Sequence, residues 1–276
     1  MFGMTARTYA SKQIARIVVA AVAVILSANS IDAHDVWITT IHDGTGGLQA
    51  VVNHGHPGDR KVPDLDKLFE LDVITGEQKR RSLLPGIRST MLDGVPVLIT
   101  EPIPKNLDAA VFLVAGRYDN GYWVKTPLGY RNTSKRQVQD GQDSLYSMKF
   151  AKALIQEGSA TSDTYSIIVG HRLELVPLNN PFAIKLGDSL RVRVHFDGKP
   201  VSGVKVERGD GLTPIEEKDI SRYVTDEQGI AAVPIVKEGP QLLVVDYLQP
   251  STHPDLAARD LSNATLSFVL VSADNH

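Results

Sequence analysis

The stretch Leu190-Arg191-Val192-Arg193-Val194-His195-Phe196 decides the fold class of this chain. Its apolar residues fall at every second position and its polar residues between them, the period of a strand with one buried face. The same texture continues outward. Downstream, Asp197-Gly198-Lys199-Pro200 turns into Val201-Ser202-Gly203-Val204-Lys205-Val206, and Thr225-Asp226-Glu227-Gln228-Gly229 turns into Ile230-Ala231-Ala232-Val233-Pro234-Ile235. Leu242 to Tyr247 and Ala264 to Val271 read as two further strands. Turn signals at this spacing predict a sandwich of about seven short strands, the size of an immunoglobulin-like or transthyretin-like domain.

Upstream the reading is again all β. Val36-Trp37-Ile38-Thr39-Thr40-Ile41 and Leu48-Gln49-Ala50-Val51-Val52-Asn53 flank Asp43-Gly44-Thr45-Gly46-Gly47, whose glycines suit a hairpin loop. Asp119-Asn120-Gly121, between Val111–Ala115 and Tyr122–Val124, predicts a second hairpin, because Asn-Gly is a strong turn signal. Leu145 to Gln156 fits a helix in part, yet Tyr146, Met148 and Phe150 alternate, and it is read as a strand. The small polar run Ser159-Ala160-Thr161-Ser162-Asp163 marks a connection between packed units. The expected organisation is therefore two β-sandwich domains, at residues 34–162 and 163–276, after a leader at 1–33.

That leader rests on Arg7, Lys12 and Arg16, an apolar run from Ile17 to Leu26, and small residues up to Ala33. These are the three regions of a secretory signal, and the run is about half the ~20 residues of a membrane span. Cleavage after Ala33 would export a chain beginning at His34 to the periplasm, with no stable membrane insertion. A net charge of -3 with both signs scattered argues against nucleic acid as a partner. The 276 residues include no cysteine, so any metal must be held by histidine, carboxylate or amine.

Such a site is legible in the histidines. A new N-terminus at His34 offers an α-amine beside an imidazole, two nitrogens able to close a chelate ring on one ion. His54 and His56 are two apart and share a strand face. If the hairpin is centred on Thr45, His34 falls opposite His56, and His54 opposite Val36, so the nitrogens gather at one sheet end. A one-residue slip would reverse the face. Imidazole and amine ligands suit a divalent transition metal such as nickel, cobalt, copper or zinc. His253, in Thr252-His253-Pro254-Asp255, is a further candidate ligand from the second domain. His171, His195, His42 and His276 read as structural or solvent-facing. No G-x-S-x-G, H-E-x-x-H or phosphate-binding loop marks an enzyme.

The start His34-Asp35-Val36-Trp37, the run Val169-Gly170-His171-Arg172-Leu173-Glu174-Leu175-Val176-Pro177-Leu178-Asn179-Asn180-Pro181, and Phe196 to Gly203 together resemble the DUF4198 family. The resemblance implies an exported two-domain β protein, a periplasmic component of nickel or cobalt uptake, with a membrane metal-uptake transporter as its partner. Two other classes compete with a non-enzymatic metal binder. One is a copper oxidoreductase built on an N-terminal histidine brace. The other is an envelope interaction module in which the histidines are incidental.

Overall fold

A computed structural model describes residues 34–104, 111–138, 140–158 and 162–271. The expected leader at 1–33 lies outside the described residues.

The strands, in chain order, are β1 (Asp35–His42), β2 (Leu48–His56), β3 (Asp59–Arg60), β4 (Leu68–Ile74), β5 (Arg80–Ser82) and β6 (Arg88–Leu92). There follow β7 (Val95–Ile99), β8 (Val111–Thr126), β9 (Gly129–Arg131), β10 (Asp143–Gln156), β11 (Leu173–Pro177) and β12 (Ser189–Phe196). The last are β13 (Lys199–Pro200), β14 (Lys205–Gly209), β15 (Ser221–Val224), β16 (Ile230–Pro234), β17 (Gly239–Pro250) and β18 (Arg259–Leu270). Short 3-10 turns are the only helical pieces among the described residues, so the all-β reading holds.

The strands form three sheets. A five-stranded sheet runs β1-β2-β7-β6 with β3 added to β2, and a four-stranded sheet runs β11-β12-β13 with β16 beside β12. The third, nine-stranded sheet runs β15-β14-β17-β18-β10-β8-β4-β5 with β9 on β8. Strand alternation makes this sheet the middle layer, because successive side chains point to opposite faces. On β8, Phe112 and Val114 join Val36, Ile38 and Val52 of the five-stranded sheet in one core. Their neighbours Leu113 and Ala115 enter a second core with Leu190, Val192 and Val194 of β12. β10 repeats the division, with Ala151 and Ala153 in the first core and Phe150 and Leu154 in the second. Full burial of a side chain the size of Leu190 contributes about 1.5–3 kcal/mol, which fixes the register of β12.

The chain turns less often than its Asn-Gly dipeptide suggests. β8 passes straight through Asn120-Gly121, and the predicted second hairpin is a β-bulge. Gly121 pairs with Ser147 and Asp119 with Met148, which leaves Asn120 as an extra residue. Gly121 takes φ +79 and donates its N–H to Asp119 Oδ1 at 2.9 Å. The positive φ that suits a hairpin turn equally suits a bulge, and the apolar partners on both sides of β8 favour one long strand.

The division expected at 162/163 falls in the connection after β10, part of which lies outside the described residues. The hydrogen-bonded sheet runs across it, since β10 pairs in parallel with β18 from Leu145↔Arg259 to Ala153↔Ser267. Residues from His34 onward accordingly cluster as one compact unit. No helix among the described residues is long and apolar enough to cross a membrane.

Candidate metal centre

The first hairpin has the register that brings the histidines together. Asp35 pairs with Gly55 and Val36 with His54, which centres the hairpin on Thr45 and sets His34 beside His56. Asp43 Oδ1 ties the loop by accepting from the Thr45 and Gly47 amides at 2.8 and 2.7 Å. After His56 the chain reverses into β3. Gly55 sits at φ +110, where a Cβ would meet the Asp59 carbonyl, so no other residue fits there without distortion. Arg60, on β3, lies 4.3 Å over the Trp37 ring and donates to Asn53 Oδ1 at 2.6 Å, which anchors the turn to the hairpin.

Three imidazoles meet at this sheet end. The His34 ring centroid is 5.7 Å from that of His54 and 5.3 Å from that of His56. Two imidazoles on one tetrahedral ion, each with a nitrogen at about 2.0–2.1 Å, place their centroids about 5 Å apart. Among the described residues no three His, Cys, Asp or Glu side chains converge on a common point. The rings stand near the spacing of ligands on one ion, but they do not form a metal site as they stand.

The three differ in surroundings. His54 is buried against Tyr118, with ring centroids 5.4 Å apart, and neither of its nitrogens has a hydrogen-bond partner. Burial, with the positive charge of Lys149 and then His34, pushes its pKa down to about 4. The Val62 backbone, which approaches the ring as an acceptor without the geometry of a full hydrogen bond, opposes this without overturning it. His54 is thus a neutral ring, the state a metal requires. His34 and His56 are partly exposed, each facing a carboxylate: His34 Nε2 is 3.8 Å from Asp59 Oδ2, and His56 Nδ1 is 3.7 Å from Asp35 Oδ2. Those distances exceed a direct hydrogen bond, but carboxylates in such positions orient ligating imidazoles. Asn263 in turn holds Asp35, donating to its Oδ1 at 2.9 Å.

A family model described as a domain of unknown function matches residues 31–249. The chain belongs to the DUF4198 family. No curated protein matches this DUF4198 chain. Solved structures similar to it include the titin domains Z1Z2 in complex with telethonin, at 13% identity and TM-score 0.17, covering 86% of this chain and 93% of that one. Murine CEACAM1b matches at 9% identity and TM-score 0.21, covering 86% and 98%. The N-terminal Ig1-2 module of the Drosophila receptor protein tyrosine phosphatase DLAR matches at 13% and 0.17, covering 86% and 100%. TM-scores this low carry no argument about arrangement.

Within the DUF4198 fold the fourth candidate stands apart. His253 is exposed in the turn between β17 and β18, where its carbonyl accepts from the Leu256 and Ala257 amides. That turn is tied to the segment after β9, through Leu256 to the Lys135 amide and Asp255 to Arg136. None of its contacts among the described residues reaches the three histidines.

Sequence reasoning missed Lys149. It is fully buried on the face of β10 that meets β1, and its Nζ has no hydrogen-bond partner among the described residues. Burial lowers its pKa, while Asp35 and Asp246 pull the other way. The signal was present: Ser147, Lys149, Ala151, Ala153 and Ile155 form the second stripe of β10, and a lysine on an apolar stripe points to a buried charge. Reading β10 by Tyr146, Met148 and Phe150 alone described only the opposite face.

Proposed function

We propose that this protein is an exported, non-enzymatic binder of a divalent transition metal, with His34, His54 and His56 as its ligands and metal uptake as its role. In this reading removal of residues 1–33 releases the chain into the periplasm, and the freed α-amine of His34 adds a fourth nitrogen. The observation that carries it is His54, a buried neutral ring with two unpartnered nitrogens, facing a second imidazole at 5.7 Å and backed by a third. A buried polar group left without a partner costs about 1–3 kcal/mol, and an ion held by the ring would offset that cost. The nitrogen-only donor set suits nickel, cobalt, copper or zinc. A membrane transporter would receive the ion, and the partly exposed His34 and His56 leave the site open to exchange.

Calorimetric titration of the exported chain with Ni(II) and Zn(II) is expected to show one site per molecule. Replacing His34, His54 and His56 together with alanine should weaken that site at least a hundredfold, while His253→Ala leaves it unchanged. Equal affinity in a folded triple variant would rule the site out. Mass spectrometry of the exported chain should show His34 first.

A further inference from the structure

Alternate residues of β18 place Asn263, Thr265 and Ser267 in one stripe, and all three side chains reach β1. Two of them do the same work. Thr265 donates its hydroxyl to the Val36 carbonyl at 2.8 Å, and Ser267 donates to that of Ile38. Both carbonyls lie on the edge of β1 away from β2, where no strand pairs with it, and a buried edge needs such partners.

Asn263 departs from that pattern, because it serves side chains and not the backbone. It is fully buried, and its amide nitrogen donates to Asp35 Oδ1 at 2.9 Å and to Asp246 Oδ1, on β17, at 2.8 Å. The opposite orientation of the amide would set its oxygen against two carboxylates, so chemistry fixes which end faces them. Its Oδ1 has no hydrogen-bond partner among the described residues. Asn263 therefore holds Asp35 at a cost to its own burial.

The other oxygen of Asp35 gives this arrangement its direction. Asp35 Oδ2 stands 3.7 Å from His56 Nδ1, beyond a direct hydrogen bond yet facing that nitrogen. An anion facing one ring nitrogen favours the neutral tautomer with its proton there, which leaves the lone pair on the other, Nε2. Lys149 does not compete for the task. It pairs with Asn263 in the register of β10 and β18, but its Nζ makes no hydrogen bond to Asp35.

We propose that Asn263 is a positioning residue of the metal centre: by holding Asp35 beside His56 it keeps the ring proton on Nδ1 and presents Nε2 to the ion. This rests on the metal reading of His34, His54 and His56, and it makes a site on the first hairpin depend on β18.

The test uses the full chain. In the metal-free protein at about pH 8, where an unperturbed imidazole is neutral, nitrogen-15 NMR of the histidine rings is expected to find the His56 proton on Nδ1. Asp35→Asn keeps the shape of the side chain and its acceptor for Asn263 but turns an amide toward His56, so the proton should move to Nε2. Calorimetric titration with Zn(II) should show Asp35→Asn and Asn263→Ala each weakening the site about ten- to a hundredfold. Thr265→Val is the structural control. It removes a clamp on β1 without touching Asp35, so it should lower the urea midpoint and leave Zn(II) affinity unchanged. A parent with no Zn(II) site would sink the metal reading and this proposal with it. If the parent binds Zn(II) through the three histidines, that reading stands, and three results would still overturn the proposal: a His56 proton on Nε2 in the parent, an Asp35→Asn variant that binds as tightly as the parent, or a Thr265→Val variant weakened as much as Asn263→Ala.

Discussion

At the scale of the residue, His54 is the side chain whose placement makes least sense for stability alone. Both nitrogens are buried without well-formed partners, and the fully buried Lys149 acts on the ring through its charge. Removing a polar group that has no partner can be neutral or stabilising when an apolar side chain of similar shape replaces it. His54→Leu is therefore expected to leave the metal-free chain as stable as the parent, or more stable by up to about 2 kcal/mol, while abolishing the proposed metal site. Urea unfolding in EDTA, beside metal titration, checks both halves. A loss of more than 1 kcal/mol in EDTA would mean that the ring has a structural partner. Gly55 shows the complementary case, in which the sequence position of a residue with no side chain sets where its neighbours point.

At the scale of the element, β10 carries a buried charge on each of its faces. Lys149 points toward β1, whereas Lys152 points toward β11 and pairs with Glu174, both side chains being 2% exposed. Burial raises the Glu174 carboxyl, but Lys152 and the Val169 amide outweigh this and hold it below the usual range. Breaking a buried pair from one side leaves the other charge uncompensated, at a cost of about 3–5 kcal/mol. Lys152→Met should destabilise the chain by that amount, measured by denaturant unfolding at pH 7. The double replacement Lys152→Met with Glu174→Leu should recover only part of the loss, because the Val169 and Gly170 amides then lack their acceptor. Full recovery would show that those amides find other partners. The pair also ties β10 to β11 across the layers, so it is a joint between the two halves.

At the scale of the whole molecule, a middle sheet shared by two cores ties the halves into a single unit. Phe150 and Leu154 of β10, with Leu113 and Ala115 of β8, complete the core around β12. Residues 170–276 cut away from them would expose that face. Acid should act on the whole unit through its buried histidines. The pKa of His54 lies near 4 and that of His171 near 3, against about 6.5 in the unfolded chain. Between pH 6.5 and 4 the unfolded chain binds more protons at these rings, so stability is full above pH 6.5 and falls as pH falls through that window. The slope approaches about 1.4 kcal/mol per pH unit for each histidine. Urea midpoints of the metal-free protein between pH 7 and 4 should fall accordingly, and His171→Leu should flatten the slope. A level profile in the parent would show that the folded protein accepts those protons freely.

The sequence by itself determined the strands, because a period of two with one apolar face depends only on local chemistry, as in Leu190, Val192 and Val194. It also determined the first hairpin, whose loop length sets the register and thereby brings His34 to His56 and His54. Tertiary structure decided the rest. Whether Asn120-Gly121 turns or bulges depends on what pairs with β8, and β10 lies far along the chain. The sheet crosses the expected domain boundary because β18 returns to pair in parallel with β10, a contact that leaves no mark on the residues between them. A cavity beside His171 and His195 is lined by residues of β4, β8, β10, β11 and β12, which lie far apart along the chain and meet only in the fold. His253 stays apart from the trio for the same kind of reason: its loop follows the end of β17, and that end lies against the segment after β9.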